Sequence, residues 1–143
     1  MRSFFLTIGI LILASGSCSK DESGDNSQYV DTPQALIGSW NWLYSAGGFA
    51  GTTSTPQSTG ETKRIEFDSD NYLRVFVNGQ LKTDQKFTVE KGKSIASRDS
   101  VLLLRNGFGV TGMRQSIRFR TSDTLILFDE CYDCYSHHFS RIK

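Results

Sequence analysis

Leu36-Ile37-Gly38-Ser39-Trp40-Asn41-Trp42-Leu43-Tyr44 is the first stretch behind a polar N-terminal segment that has the makings of a folded domain. Its even positions, Leu36, Gly38, Trp40, Trp42 and Tyr44, form one large and mostly apolar set. Ser39, Asn41 and Ser45 hold odd positions. Alternation with period two predicts a strand with one buried face, because successive side chains leave a pleated backbone on opposite sides. Gly38, two residues before Trp40, leaves space for the indole to lie against the backbone. The segments downstream read as strands that close over this face.

Upstream, the chain reads as an address. Arg2 is a minimal positive start, and Phe4 to Ala14 is an apolar run of eleven residues. A transmembrane helix needs about 20 residues. The short run, followed by Ser15-Gly16-Ser17 and then Cys18, has the layout of a secretory signal over residues 1–17. The competing reading is a buried N-terminal strand or helix, which leaves the placement of Arg2, the small residues and the cysteine unexplained. Residues 19–33 are mostly polar and read as a flexible tether ending near Pro33. The folded domain is therefore expected over 34–143, with room for one modest core.

Without the leader, which contains Arg2 and no acidic residue, fifteen basic residues face fifteen acidic ones. A neutral chain of mixed signs lacks the electrostatic footprint of a nucleic-acid binder. Three cysteines are awkward for an exported protein. If Cys18 is modified, Cys131 and Cys134 remain as a pair suited to an oxidising compartment.

The domain continues as short strands and turns. Residues 34–37 form a short helical turn or the start of the first strand. Residues 47–60 are a long loop rich in Gly, Ser and Thr, read either as a lid with Phe49 as its apolar contact or as a solvated excursion. Ile65 and Phe67 share a face. Asp68-Ser69-Asp70-Asn71 is turn chemistry, and Asn78-Gly79 is a strong hairpin signal. Gln80 to Glu90 returns, and Lys91-Gly92-Lys93 is expected to turn. Val101 to Leu104 reads as a buried strand. Gln115, Ile117 and Phe119 alternate with Arg114, Arg118 and Arg120, which places the arginines in water rather than in an inward anion site. Tyr135, His137, Phe139 and Arg141 share one face of the last strand. Eight or nine strands joined by tight turns predict an all-β fold, an up-and-down antiparallel barrel of about eight strands.

Cys131-Tyr132-Asp133-Cys134 has the spacing of a redox dithiol, half a zinc site or a disulfide. Redox chemistry wants a helix N-terminus to lower the thiol pKa, and none is visible. Zinc wants two further ligands, yet His137 and His138 are neighbours on a strand and point to opposite faces. A disulfide stapling a turn is the expectation, worth about 2 kcal/mol for so short a loop. The histidines have no nucleophile or carboxylate placed beside them by any motif, and half-buried strand positions suit them. No catalytic residue, metal or cofactor is expected.

Three resemblances add to this reading. Ser15-Gly16-Ser17-Cys18 resembles a bacterial lipobox, with Ser15 where Leu is usual; this implies that Cys18 carries lipid. Cys18-Ser19-Lys20-Asp21-Glu22 looks like the start of Bacteroidota-type lipoproteins, which implies an outer-membrane lipoprotein displayed on the cell surface or facing the periplasm. The domain resembles the lipocalin-like β-barrel (calycin) lipoproteins over residues 36–143. The carriers are Gly38-Ser39-Trp40, the loop behind them, Phe67-Asp68-Ser69-Asp70-Asn71-Tyr72, Asn78-Gly79, and the end from Asp123 through Cys131 to Arg141-Ile142. The family implies that Arg141 packs across Trp40 and closes the barrel floor. It also implies capture of a small hydrophobic or amphipathic molecule in the barrel mouth. Trp42, Tyr44, Phe49, Phe67, Phe76 and Phe87 are the candidate lining residues. Set against this is a filled barrel acting as a structural or protein-interaction module.

Overall fold

The computed structural model describes residues 32–96, 99–109 and 113–143. The expected signal peptide, Cys18 and most of the tether lie outside the described residues. Pro33–Leu36 is a single 3-10 turn, begun by a proline whose missing N–H costs nothing at that position. The strands follow: β1 Gly38–Gly47, β2 Thr52–Ser54, β3 Lys63–Phe67, β4 Tyr72–Val77, β5 Gln80–Lys86, β6 Thr88–Lys93, β7 Ser100–Arg105, β8 Arg114–Thr121, β9 Thr124–Asp129 and β10 Tyr135–Arg141. One helical turn, α1 (Pro56–Thr59), lies between β2 and β3. It is held by a reciprocal Thr55–Ser58 capping box and buries no residue.

Turn chemistry operates as the residue types dictate. Asn78 and Gly79 both take positive φ, 50° and 77°, as a two-residue turn between twisted strands requires. Asp68 Oδ1 accepts the backbone N–H groups of Asp70 and Tyr72 at 3.0 and 2.9 Å and so folds the β3–β4 turn.

All pairing is antiparallel. The strand order is β5-β4-β3-β1-β10-β9-β8-β7-β6, with β2 attached to β1. The first and last strands of the domain pair along Trp40–Arg141 and Trp42–Phe139. Closure into a barrel of about eight strands does not follow. Among the described residues there are ten strands in a sheet that hydrogen bonding leaves open between β5 and β6. Only Phe87 separates these two edges. One residue cannot reverse a chain into a hairpin. The extended chain bends at Phe87 instead, pairing with β4 before the bend and with β7 after it. Across the opening, Gln85 Nε2 donates to the Asn106 carbonyl at 3.0 Å and Asn106 Nδ2 donates to that of Lys86 at 3.2 Å.

Two expectations of register are corrected. Lys91-Gly92-Lys93 is strand, not turn. A Cβ on Gly92 would stand 2.7 Å from Leu103 Cδ1, so the glycine gives Leu103 its room. Tyr44 does not share the face of Trp40 and Trp42. A bulge between Trp42 and Tyr44 makes Leu43 an extra residue, turns Tyr44 outward onto His138 and brings Ser45 inward opposite His137.

The core is one continuous cluster on the inner face. It includes Trp40, Trp42, Ile65, Phe67, Leu73, Leu104, Phe108, Ile117, Leu125, Leu127 and Phe139. Trp40 and Phe139 are fully buried. Removing such aromatic area from water is the main stabilising term here.

Candidate functional site

At the Trp40 end of the domain Arg141 packs across the indole. The Arg141 guanidinium lies 4.0 Å from the Trp40 ring centroid. Its three nitrogens donate to carbonyls of Ser122 (3.0 Å), Ile37 (2.9 Å) and Ala35 (2.7 Å). Trp40 Nε1 donates to the Leu36 carbonyl at 2.8 Å. Gly38 has φ +132°, and a Cβ there would meet Arg141 Nη1 at 2.8 Å. Gly38, Trp40 and Arg141 therefore form one unit that clamps the 3-10 turn across this end.

At the other end of the β1–β10 ribbon the inner face carries a polar chain that local sequence patterns did not reveal. Trp42 Nε1 donates to Ser45 Oγ at 2.9 Å, and Ser45 Oγ lies 2.7 Å from His137 Nδ1. His137 Nε2 is 3.3 Å from Asp129 Oδ2. Gln115 Nε2 donates to Asp129 Oδ1 at 2.7 Å and to the Phe108 carbonyl. The Ser45 hydroxyl, which accepts from the indole, keeps its own hydrogen for His137 Nδ1, and His137 Nε2 faces the Asp129 carboxylate. Among the described residues Gln115 Oε1 is a buried side-chain atom left without a partner. Burial raises the Asp129 pKa, but hydrogen bonds from His137 and Gln115 and the His137 charge outweigh it and hold the carboxyl below its ordinary range. Burial lowers the His138 pKa, assisted by the neighbouring His137 and Arg120 charges.

Ser45, His137 and Asp129 have the residue types of a nucleophilic relay. One observation opposes that use: neither Ser45 nor His137 lines either of the hollows described below. The chain ties β1, β8, β9 and β10 together and fixes the backbone at Phe108. No local signal marks the bulge at Leu43, and residues 45, 129 and 137 meet only through the fold.

Beside this chain is a hollow of about 250 Å³. Its walls come from inward-facing positions of β3, β4 and β5, namely Lys63, Val75, Val77, Thr83 and Gln85. Gly107, Phe108 and Gly109 close the opposite side. Phe108 is wedged edge-on against His137 and Phe139, with centroids 5.0 and 5.3 Å away. Lys82 reaches the rim because a bulge in β5 makes it the extra residue between Leu81 and Thr83.

The nominated lining residues are distributed differently. Trp42 is buried with the Lys63 ammonium 4.7 Å from its ring centroid, so it sits beneath the rim. Phe67 and Phe87 pack edge-to-face at 5.1 Å in the core. Phe87 borders a separate hollow of about 280 Å³ with Pro33 and Val89. Phe76 faces outward beneath Arg64, and Tyr44 stacks on His138. Phe49 is 96% exposed on the β1–β2 turn.

Cys131 and Cys134 form the expected disulfide, with Cα atoms 5.6 Å apart. Among the described residues no group of three or more His, Cys, Asp or Glu side chains could hold a metal ion. No family model, no curated protein and no solved structure matches this chain.

Proposed function

We propose that this is an exported, lipid-anchored protein of the outer membrane that binds a small amphipathic molecule in the mouth bordered by Lys63, Val75, Val77, Thr83 and Phe108. The observation that carries the reading is the hollow of about 250 Å³ on the inner face, apolar along Val75, Val77 and Phe108 and polar at its rim. Ligand sites combine such apolar walls with a few orienting polar groups, and this one suits a ligand smaller than most. On this reading β5 and β6 act as one strand bent at Phe87. Eight strands then follow one another around a lipocalin-like barrel that is split at one seam. The lipid on Cys18 and the tether over residues 19–33 place the domain at the membrane surface. We read the protein as a binder rather than an enzyme, since neither Ser45 nor His137 lines the mouth.

The test is a titration with apolar and amphipathic small molecules, read by tryptophan emission. Val77→Trp should fill the mouth and abolish binding while thermal unfolding moves by only a few degrees. Undiminished binding to that variant removes the assignment.

A second reading is favoured by a different observation. Phe49 and Tyr132 are 96% and 85% exposed on turns joined by the Gly48 N–H bond to the Cys134 carbonyl. Exposed aromatic tips of this kind serve as anchors for protein partners. A partner lost on Phe49→Ser and Tyr132→Ser, with an inert mouth, would make the domain an interaction module.

A further inference from the structure

The mouth carries a charge bias that says what kind of molecule it takes. Its described lining includes two ammonium groups, Lys63 and Lys82, and no carboxylate. Lys63 is held in place by the Trp42 ring below it and by Glu61, whose Oε2 is 3.1 Å from Nζ. The Glu61 side chain is 44% exposed, and a pair so open to water is weak, so an arriving anion can compete for Lys63. Lys82 Nζ donates to the neutral amide oxygen of Gln80 at 3.0 Å. The bulge that turns Lys82 toward the mouth sets it on the β5 side of the rim, with Lys63 on β3. Val75 and Val77 on β4, between the strands that carry the two charges, and the wedged Phe108 on the opposite side supply the apolar walls.

We propose that the mouth selects a molecule with a compact apolar body and a single anionic group, the anion lying between Lys63 and Lys82 and the body against Val75, Val77 and Phe108. This rests on the reading of the hollow as a binding site and adds the ligand's charge. Apolar burial supplies affinity without regard to charge, whereas the two ammoniums discriminate between head groups.

The experiment compares phenylbutyrate, phenylbutanol and phenylbutylamine, which share one body and differ in head-group charge. Each is titrated calorimetrically into the naturally processed protein, into Lys63→Met/Lys82→Met and into Val77→Trp. Phenylbutyrate is expected to bind about tenfold more tightly than phenylbutanol, from two partly exposed ion pairs of up to about fivefold each, and the amine most weakly. Raised salt and the double lysine variant should both close the gap between acid and alcohol, leaving the alcohol's affinity unchanged. Equal affinities of acid and alcohol for the unaltered protein would overturn the charge assignment while leaving the binding site standing. So would a double variant that weakens both alike. Absence of binding by all three, or equal binding of each to Val77→Trp, would overturn the site and the inference together.

Discussion

Arg141→Ala isolates the floor of the domain. The side chain loses three hydrogen bonds from a charged guanidinium to backbone carbonyls and its contact with the Trp40 ring. Arg141 is only partly buried, so each bond is discounted to somewhat under 1 kcal/mol. The cation–π contact contributes about 1 kcal/mol in such a setting. The expected destabilisation is about 3 kcal/mol, allowing for bonds that act as a unit. For a domain of about 110 residues this corresponds to a fall in Tm of about 12 °C. Urea unfolding followed by tryptophan emission measures it directly. Arg141→Lys keeps the charge but not the planar fork, so it should recover less than half of the loss. Lys143→Ala is the control, because its partner Asp123 and its own ammonium are largely exposed. Mouth binding should be unchanged in all three variants, since Trp40 and Ser45 lie toward opposite ends of β1. A loss below about 1 kcal/mol in Arg141→Ala would refute the clamp, whatever the distances.

Other perturbations follow from the same geometry. Gly38→Ala should destabilise by about 2 kcal/mol in thermal unfolding, because φ +132° excludes a side chain and the new Cβ would displace Arg141 Nη1. Asp129 has a folded-state pKa below its ordinary 3.8, so its contribution is complete above that pH and lost as pH falls through the lower folded value. Asp129→Asn should therefore flatten the acid limb of a stability profile below pH 3.8, though Asp68, lowered chiefly by the Tyr72 N–H, keeps part of that slope. The His138 pKa is likewise lowered, so stability should begin to fall as pH drops below 6.5, and His138→Gln should remove that early slope. Alkylation without reductant should leave Cys131 and Cys134 unlabelled; replacing both with Ser should cost about 2 kcal/mol at most.

The sequence made the repeating parts of the fold legible. Trp40 and Trp42, Ile65 and Phe67, and Gln115, Ile117 and Phe119 all face as their alternation says. The Asn78-Gly79 hairpin was equally readable, whereas the meeting of Arg141 with Trp40 followed from no local pattern and entered only through a resemblance. Departures occur where one residue breaks the period. An extra Leu43 reverses the faces of Tyr44 and Ser45, and an extra Lys82 turns a charge toward the mouth. Neither residue carries a local mark of a bulge, because a bulge is set by the partner strand. The bend at Phe87 also escaped, since an extended chain that changes partners keeps its strand-like composition. The Ser45–His137 contact spans 92 positions, and the hollow is the space left among four chain segments. Such arrangements exist only once the sheet has folded.

Native mass spectrometry of the purified protein, kept free of added detergent, tests the central claim most directly. The account predicts a discrete added mass, released on denaturation as a small molecule and absent from Val77→Trp prepared in the same way. A bare protein mass that also stays bare with phenylbutyrate and phenylbutanol would contradict it, and attention would pass to Phe49 and Tyr132 as a surface for a protein partner.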